Sequence, residues 1–185
     1  MAVLSSEFRA ALGRQSKFLG LQWLACLASL CTYLFLYDLA SERRVSPSDS
    51  WPFDLFNYVL WALAIAIAIY LVWSKSRVHT IQAFLYTLKQ PNFFESIQGS
   101  TFLEMQAHVL FRIYRTRMLV VFFLCHVIAL IGFVMVLFGA DISEPQSTLV
   151  ISACLLIYYY PSQIFFDNLM NEYERREAAR GWEQL

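Results

Sequence analysis

The chain has 185 residues, 58% of them hydrophobic and only 15% charged, and its 14 basic and 14 acidic residues give a formal net charge of zero. Together with a mean hydropathy of +0.50, this composition excludes an ordinary soluble domain and indicates a membrane protein. The absence of a strong basic cluster also argues against binding to nucleic acid.

Four apolar runs are each long enough to cross a hydrocarbon core of about 30 Å, which takes roughly 20 helical residues. None of them contains Asp, Glu, Lys or Arg, and only the third contains histidine. We predict an all-α fold, a polytopic bundle of four transmembrane helices made of two helical hairpins, in a single membrane domain of residues 1–185. The predicted spans are residues 18–37, 55–73, 118–139 and 148–166.

The first two spans each have a competing interpretation. A basic lead-in precedes the first, as in a signal peptide, but its length exceeds a typical apolar signal core and the YDLASE after it lacks a small-x-small cleavage site, so we expect it to be retained. The second contains ALAIAIAIY, whose alternation favours a strand in a soluble chain. A lone strand in lipid leaves its backbone unpaired, so we predict a helix.

The segment of residues 74–117 holds most of the chain outside the predicted spans. We expect an amphipathic helix in RVHTIQAFLYTLK, a break between Lys89 and Ser100, and a capping box that begins at Thr101. The third span then starts near Thr101 and continues unbroken to Gly139. Two arrangements fit: extensions of the spanning helices that pack on each other, which we favour, or helices that lie on the membrane surface.

The tail of residues 167–185 is a charged helical stretch with a Glu172–Arg176 pair at i,i+4. We expect a solvated helix that continues the fourth span, and the alternative is a docking role around Trp182.

Basic residues predict the orientation of the chain. Twelve lie in the N-terminal segment, residues 74–117 and the tail, whereas the two remaining loops hold only Arg43 and Arg44. Because cytoplasmic loops carry an excess of Lys and Arg, this distribution predicts both termini in the cytoplasm.

A histidine interrupts the third span in LCHVIALIGF, and an ionisable group within a span is a candidate functional residue. At about 1.5 Å per residue, His126 lies roughly 12 Å from the inner end of its span, a level that the first span reaches near Cys26. This depth predicts an intramembrane polar site of five residues: Gln22, His126, Tyr158, Tyr159 and Ser162.

We expect His126 to be neutral and to point into the bundle, because a protonated or unpaired imidazole in hydrocarbon is costly. Pro161 should kink the fourth span and free the Ile157 carbonyl. The predicted hydrogen-bond partner of His126 is therefore the 158–162 stretch, with Gln22 as the alternative. Small residues should mark the seam of the third span, at Cys125, Ala129, Gly132 and Gly139.

The second hairpin, LCHVIALIGFVMVLFGADI followed by YYYP, resembles small uncharacterised four-helix bacterial membrane proteins with hairpins like the proteolipid subunit of rotary ATPases. The resemblance covers about 50 residues, 117–166, through a glycine in the third span, a Gly-acidic turn and a late proline. It implies a helical bundle in a bacterial inner membrane. Proteolipid subunits carry a carboxylate in a span where this chain has His126, and their hairpin loop faces the cytoplasm, so ion-driven rotation is not carried over.

Two hypotheses about function follow. In the first, the chain is a non-enzymatic accessory or scaffold subunit of a membrane complex and His126 is a packing residue. In the second, it is a small transporter or channel-like protein with a polar site around His126. The four cysteines form no CxxC pair, and no two-histidine or Ser-His-Asp arrangement fits within a span, so we expect no catalytic residue, cofactor, metal or disulfide. The partners implied are the lipid bilayer and either another protein or a second copy of the chain.

Overall fold

The computed structural model describes residues 5–42, 52–88, 102–138, 140 and 143–183. Across these residues the chain is helical and contains no strand, which confirms the predicted all-α class for the described chain. The helices are α1 (Ser6–Glu42), α2 (Pro52–Arg77), α3 (Ile81–Leu88), α4 (Phe102–Leu137), α5 (Ser143–Tyr158) and α6 (Gln163–Glu183).

Three of these helices, α1, α2 and α4, are long and apolar enough to cross a membrane. A further candidate span is formed by α5 and α6, which pass the same test together but are bent by 41° at a short break. The described chain therefore has three candidate membrane spans, or four if the bent pair crosses as one.

The bend between α5 and α6 has a local cause in the sequence. Pro161 has no backbone N–H, so the helix cannot continue its hydrogen-bond ladder through this position. The Tyr160 N–H instead bonds the Ile157 carbonyl at 3.1 Å, in a tighter turn, and α6 restarts with a bond from Phe166 N–H to the Ser162 carbonyl at 3.3 Å. The predicted kink at Pro161 is confirmed.

Helix α4 is continuous over 36 residues and joins residues on both sides of the predicted inner end of the third span. Half of the residues in its most apolar window are buried, against 11% in the corresponding windows of α1 and α2, so α4 is packed more closely than either of them. The predicted continuous third helix is confirmed from Phe102 to Leu137. Thr101, Gly139 and the predicted break at 89–100 lie outside the described residues.

The chain divides into two compact units, to which α1 and α4 both contribute. We name the first the basic unit (Met1–Leu21, Lys75–Met118, Pro161–Leu185) because its sequence contains all twelve basic residues assigned above to the cytoplasm. We name the second the apolar unit (Gln22–Ser74, Leu119–Tyr160), whose only basic residues are Arg43 and Arg44.

The apolar unit is packed along the predicted seam of small residues on α4. Cys125 and Ala129 are fully buried and Gly132 is buried with them, which confirms three members of the seam. A Cβ atom at Gly132 would overlap the hydroxyls of Tyr37 and Thr148. Close approach of α1 and α5 to α4 therefore requires glycine at this position.

The basic unit is packed around aromatic rings. Phe84 of α3 is fully buried, and its ring centre lies 5.7 Å from Tyr114 of α4 and 6.2 Å from Phe165 of α6. A second edge-to-face pair joins Phe111 of α4 to Phe166 of α6 at 5.2 Å. The helical extensions thus pack on each other, as in the arrangement that the sequence favoured.

Candidate functional site

His126 lies on α4 with both ring nitrogens in contact with polar atoms of the chain. Its Nε2 is 2.6 Å from the Ser29 hydroxyl of α1, and its Nδ1 is 2.9 Å from the Phe122 carbonyl, one turn earlier in α4. The Tyr33 ring is the nearest aromatic neighbour described, with its centre 6.3 Å from that of the imidazole. The ring therefore points into the contact between α1 and α4, as the sequence predicted.

The predicted partner of His126 was wrong. The imidazole contacts Ser29 and not the 158–162 stretch or Gln22. Depth alone brought the prediction within one turn, since the level expected near Cys26 is three residues from Ser29. The rotation of each helix about its axis decides which side chains meet at that level, and spacing in one sequence does not determine it.

Tyr159 joins α2 instead. Its hydroxyl lies 2.8 Å from the Ser74 hydroxyl and donates a hydrogen bond to the Leu71 carbonyl. Tyr159 is 2% exposed and Tyr158 is 49% exposed, so only one tyrosine of the pair faces the interior. A buried phenol needs a hydrogen-bond partner, and the end of α2 provides two.

Gln22 and Ser162, the remaining members of the predicted site, have different surroundings. Gln22 has a buried side-chain oxygen with no hydrogen-bond partner among the described residues. Ser162 belongs to the basic unit, whereas the other four belong to the apolar unit. The functional role of the five residues stays a prediction.

Sequence reasoning missed Trp23, which uses the carbonyl that the kink exposes. Its indole N–H donates to the Leu156 carbonyl at 2.7 Å, and its ring meets Tyr160 edge-to-face at 4.9 Å. Since Tyr160 N–H bonds to Ile157, the Leu156 carbonyl is released from the regular ladder. The freed carbonyl is therefore one residue before the predicted one. The signal for this bond in the sequence was the indole itself, which can donate a hydrogen bond but cannot accept one and so needs an acceptor.

Hydroxyl groups join the helices elsewhere in the apolar unit. Ser152 of α5 donates to the Cys125 carbonyl of α4 at 2.6 Å, and Tyr37 of α1 donates to the Ala129 carbonyl at 2.6 Å. Ser152 is fully buried. These bonds place two hydroxyls of the apolar unit against helix carbonyls, which have a second lone pair to offer.

In the basic unit, Arg117 is held by two hydrogen bonds and by the ring of Phe84. Arg117 donates to the Val78 carbonyl at 2.7 Å and to the Thr87 hydroxyl at 3.0 Å, and its guanidinium carbon lies 4.4 Å from the centre of the Phe84 ring. Burial, and then the positive charges of Arg117 and Lys75, lower the pKa of His79 to about 4. His79 is therefore neutral at pH 7.

Charged and amide side chains extend along α6. Arg9 of α1 pairs with Glu174 at 2.6 Å, and the predicted Glu172–Arg176 pair is present at 3.0 Å. Two cavities flank the helix, and Asn171 lines both of them. One, of about 400 Å³, is also lined by Arg9, Gly13, Gln163 and Asp167; the other, of about 460 Å³, is lined by Gln82, Asn168, Glu172, Arg175 and Arg176.

Nothing in these contacts resembles a metal centre. Among the described residues, no group of three or more His, Cys, Asp or Glu side chains is placed to hold a metal ion. The four cysteines are free thiols, and only Cys125 is buried.

No protein-family model matches the chain, and no curated protein or solved structure is significantly similar to it. The resemblance of the second hairpin to proteolipid-like proteins therefore rests on the motifs quoted above. The functional argument depends on the contacts of this chain alone.

Proposed function

We propose that this chain is a non-enzymatic accessory or scaffold subunit of a membrane complex, a four-helix transmembrane bundle in the bacterial inner membrane with both termini in the cytoplasm. One observation supports this role above the others. In the apolar unit, the side chains of His126, Ser152, Tyr37, Trp23 and Tyr159 each bond a polar atom of a different helix.

Polar groups used in this way hold helices together. A transport path requires polar side chains that face a common route through the membrane, and transporters and pumps usually carry several ionisable groups there. In the apolar unit, polar side chains instead bond in separate pairs, such as Tyr37 with Ala129 and Tyr159 with Ser74. Neither of the two cavities described above is lined by His126. The apolar unit is thus suited to holding its helices in a fixed arrangement.

The basic unit supplies the surface for a partner. Asn168, Asn171 and Gln82 are exposed amide side chains beside the cavities that flank α6, with Arg175 and Arg176 next to them. Amides and arginines recognise backbone and carboxylate groups of another protein, and arginine is enriched at protein interfaces. We propose that a protein subunit of the complex binds this face of the basic unit in the cytoplasm.

The orientation is supported by the distribution of charge. Every basic residue except Arg43 and Arg44 belongs to the basic unit, and positive charge accumulates on the cytoplasmic side of a membrane. Fused reporter enzymes test this orientation. A reporter that works only in the cytoplasm should be active when it is fused after Leu185. A reporter that works only outside the membrane should be active when it is inserted after Ser48. The reverse pattern would contradict the topology.

Photo-crosslinking in native membranes tests the scaffold role. A photoreactive residue at Asn171 and another at Gln82 should give adducts with one and the same protein, because both positions line the larger cavity. A probe at Ile69, which is 64% exposed on α2, is the matched control and should give no adduct with that protein. Failure of both probes to find a protein, combined with His126-dependent ion flux by the purified chain in liposomes, would favour the transporter hypothesis instead.

A further inference from the structure

Three polar contacts form a continuous series at the contact between α1 and α4. The Phe122 carbonyl lies 2.9 Å from His126 Nδ1, His126 Nε2 lies 2.6 Å from the Ser29 hydroxyl, and that hydroxyl lies 2.7 Å from the Cys26 carbonyl. Carbonyl oxygens only accept hydrogen bonds. Both ends of the series are therefore acceptors, and every proton in it must come from the imidazole or the hydroxyl between them.

A neutral imidazole has one N–H and the Ser29 hydroxyl has one O–H, so together they supply two protons for three contacts. An imidazolium has two N–H groups and completes the series. Nδ1–H then donates to Phe122, Nε2–H donates to Ser29, and the Ser29 hydroxyl donates to Cys26. The heavy atoms are thus already placed for the protonated ring.

The neutral state is also supported by this geometry. Nδ1 faces a carbonyl and must hold its proton, so Nε2 has the lone pair and accepts from the Ser29 hydroxyl. The contact that loses its proton is the one with the Cys26 carbonyl, which in a regular helix already accepts a backbone N–H. The neutral ring consequently leaves no donor unpaired.

We propose that His126 Nε2 is a proton-binding site at the contact between α1 and α4, with Ser29 as its positioning residue. A proton from water binds the lone pair of Nε2. The Ser29 hydroxyl then rotates its hydrogen from Nε2 to the Cys26 carbonyl, and no heavy atom moves. This goes beyond the scaffold role, because it makes one helix contact of the apolar unit respond to protons.

The titratable groups beside the site are a phenol and thiols. Tyr33 and Cys26 lie on α1, and Cys125 is next to His126 in α4. The apolar runs that hold them contain no Asp, Glu, Lys or Arg. Among the described groups, the two carbonyl dipoles and the Ser29 hydroxyl are placed to stabilise the imidazolium.

Nitrogen-15 NMR of histidine tests the proposal directly. The chain has three histidines, so a His79→Gln, His108→Gln variant in lipid nanodiscs reports His126 alone. We expect the neutral ring at pH 9 to carry its proton on Nδ1, and both nitrogens to become protonated reversibly in acid while helicity is unchanged. If that variant does not fold, the signals of His126 are obtained from the difference between the unaltered chain and His126→Asn.

A matched pair of serine variants separates a proton site from a structural contact. Ser29→Ala removes the acceptor of the charged ring and should weaken proton binding about tenfold. Ser147→Ala is the control, because the exposed Ser147 hydroxyl bonds only within α5, to the Ser143 carbonyl, and it should leave the titration unchanged.

Three results would overturn the proposal: a neutral ring with its proton on Nε2, a ring that stays neutral at every pH at which the protein is folded, or equal titrations of Ser29→Ala and Ser147→Ala. The test does not depend on a partner. Failure of the proton site is therefore distinguishable from failure of the scaffold role.

Discussion

Both units of this protein join one helix to another, but they do so with different chemistry. The apolar unit uses neutral donors and helix carbonyls, as in the bond from Ser152 to Cys125 at 2.6 Å. The basic unit uses charge, as in the pair of Arg9 and Glu174 at 2.6 Å and the cation of Arg117 over the Phe84 ring. Charge is inexpensive where water reaches it, whereas in hydrocarbon a hydroxyl can bond a carbonyl without leaving an ion unpaired.

The same contrast separates two histidines. Burial of His79 in the basic unit, and then the charges of Arg117 and Lys75, favour its neutral ring. His126 of the apolar unit has no formal charge in the apolar runs around it, and its nitrogens meet acceptors of the chain. One ring is buried beside cations, whereas the other contacts a carbonyl and a hydroxyl.

Glycine substitutions should give the largest effect and test the close packing of the apolar unit. Gly132→Ala forces a methyl group into the Tyr37 and Thr148 hydroxyls and should reduce the free energy of unfolding by about 2 to 3 kcal/mol. Gly20→Ala in the basic unit is the control, since nothing lies within 4 Å of its added Cβ, and it should be neutral or slightly stabilising. Denaturant titration in mild detergent measures both, and equal losses would contradict the seam.

Part of this architecture was available from the sequence because it depends on local chemistry. Pro161 cannot donate a backbone hydrogen bond, so the bend after α5 follows from one residue. Small residues at helical spacing, Cys125, Ala129 and Gly132, marked the buried face of α4 because only small side chains permit close approach.

The contacts between helices were not available in the same way. Ser29 and Gln22 are seven residues apart and lie on nearly the same face of α1, so composition and depth gave no reason to prefer one over the other. The choice depends on how far each helix is shifted along its axis. Trp23 pairs with a carbonyl exposed by a kink 133 residues later in the chain, which is a tertiary effect.

Acid should destabilise the basic unit through His79. Its pKa is about 4 in the folded chain and about 6.5 in the unfolded chain, so between these values the unfolded state binds more protons. Stability contributed by His79 is present above pH 6.5 and is lost as the pH falls toward 4. The loss should be about 1 to 2 kcal/mol after screening by solvent at this partly exposed ring.

The difference between the unaltered chain and His79→Gln isolates this effect from the titration of carboxylates. The two unfolding free energies should converge or cross as the pH falls from 6.5 to 4, and remain parallel above pH 7. Parallel curves over the whole range would mean that neither burial nor the nearby cations lower the pKa of His79.

Two serines of α5 compare a buried hydroxyl with an exposed one. Ser152→Ala leaves the Cys125 carbonyl without its partner on α5 and should cost about 1 kcal/mol, a typical value for a hydrogen bond between membrane helices. Ser147→Ala should change the unfolding free energy by less than about 0.5 kcal/mol, because its hydroxyl is exposed. A cost at Ser147 as large as that at Ser152 would remove the distinction.

The smallest effect is expected at the pair of Arg9 and Glu174, and it sharpens the comparison between the units. The Arg9 side chain is 49% exposed, so a double-mutant cycle with Arg9→Gln and Glu174→Gln should give a coupling energy of about 0.5 kcal/mol. Salt screens charges, with a Debye length of about 3 Å at 1 M, so this coupling should disappear at 1 M NaCl. The loss caused by Ser152→Ala, which involves no ion, should be the same at both salt concentrations. A salt-dependent Ser152 bond, or an Arg9–Glu174 coupling that survives 1 M salt, would show that the two units do not differ in the chemistry that joins their helices.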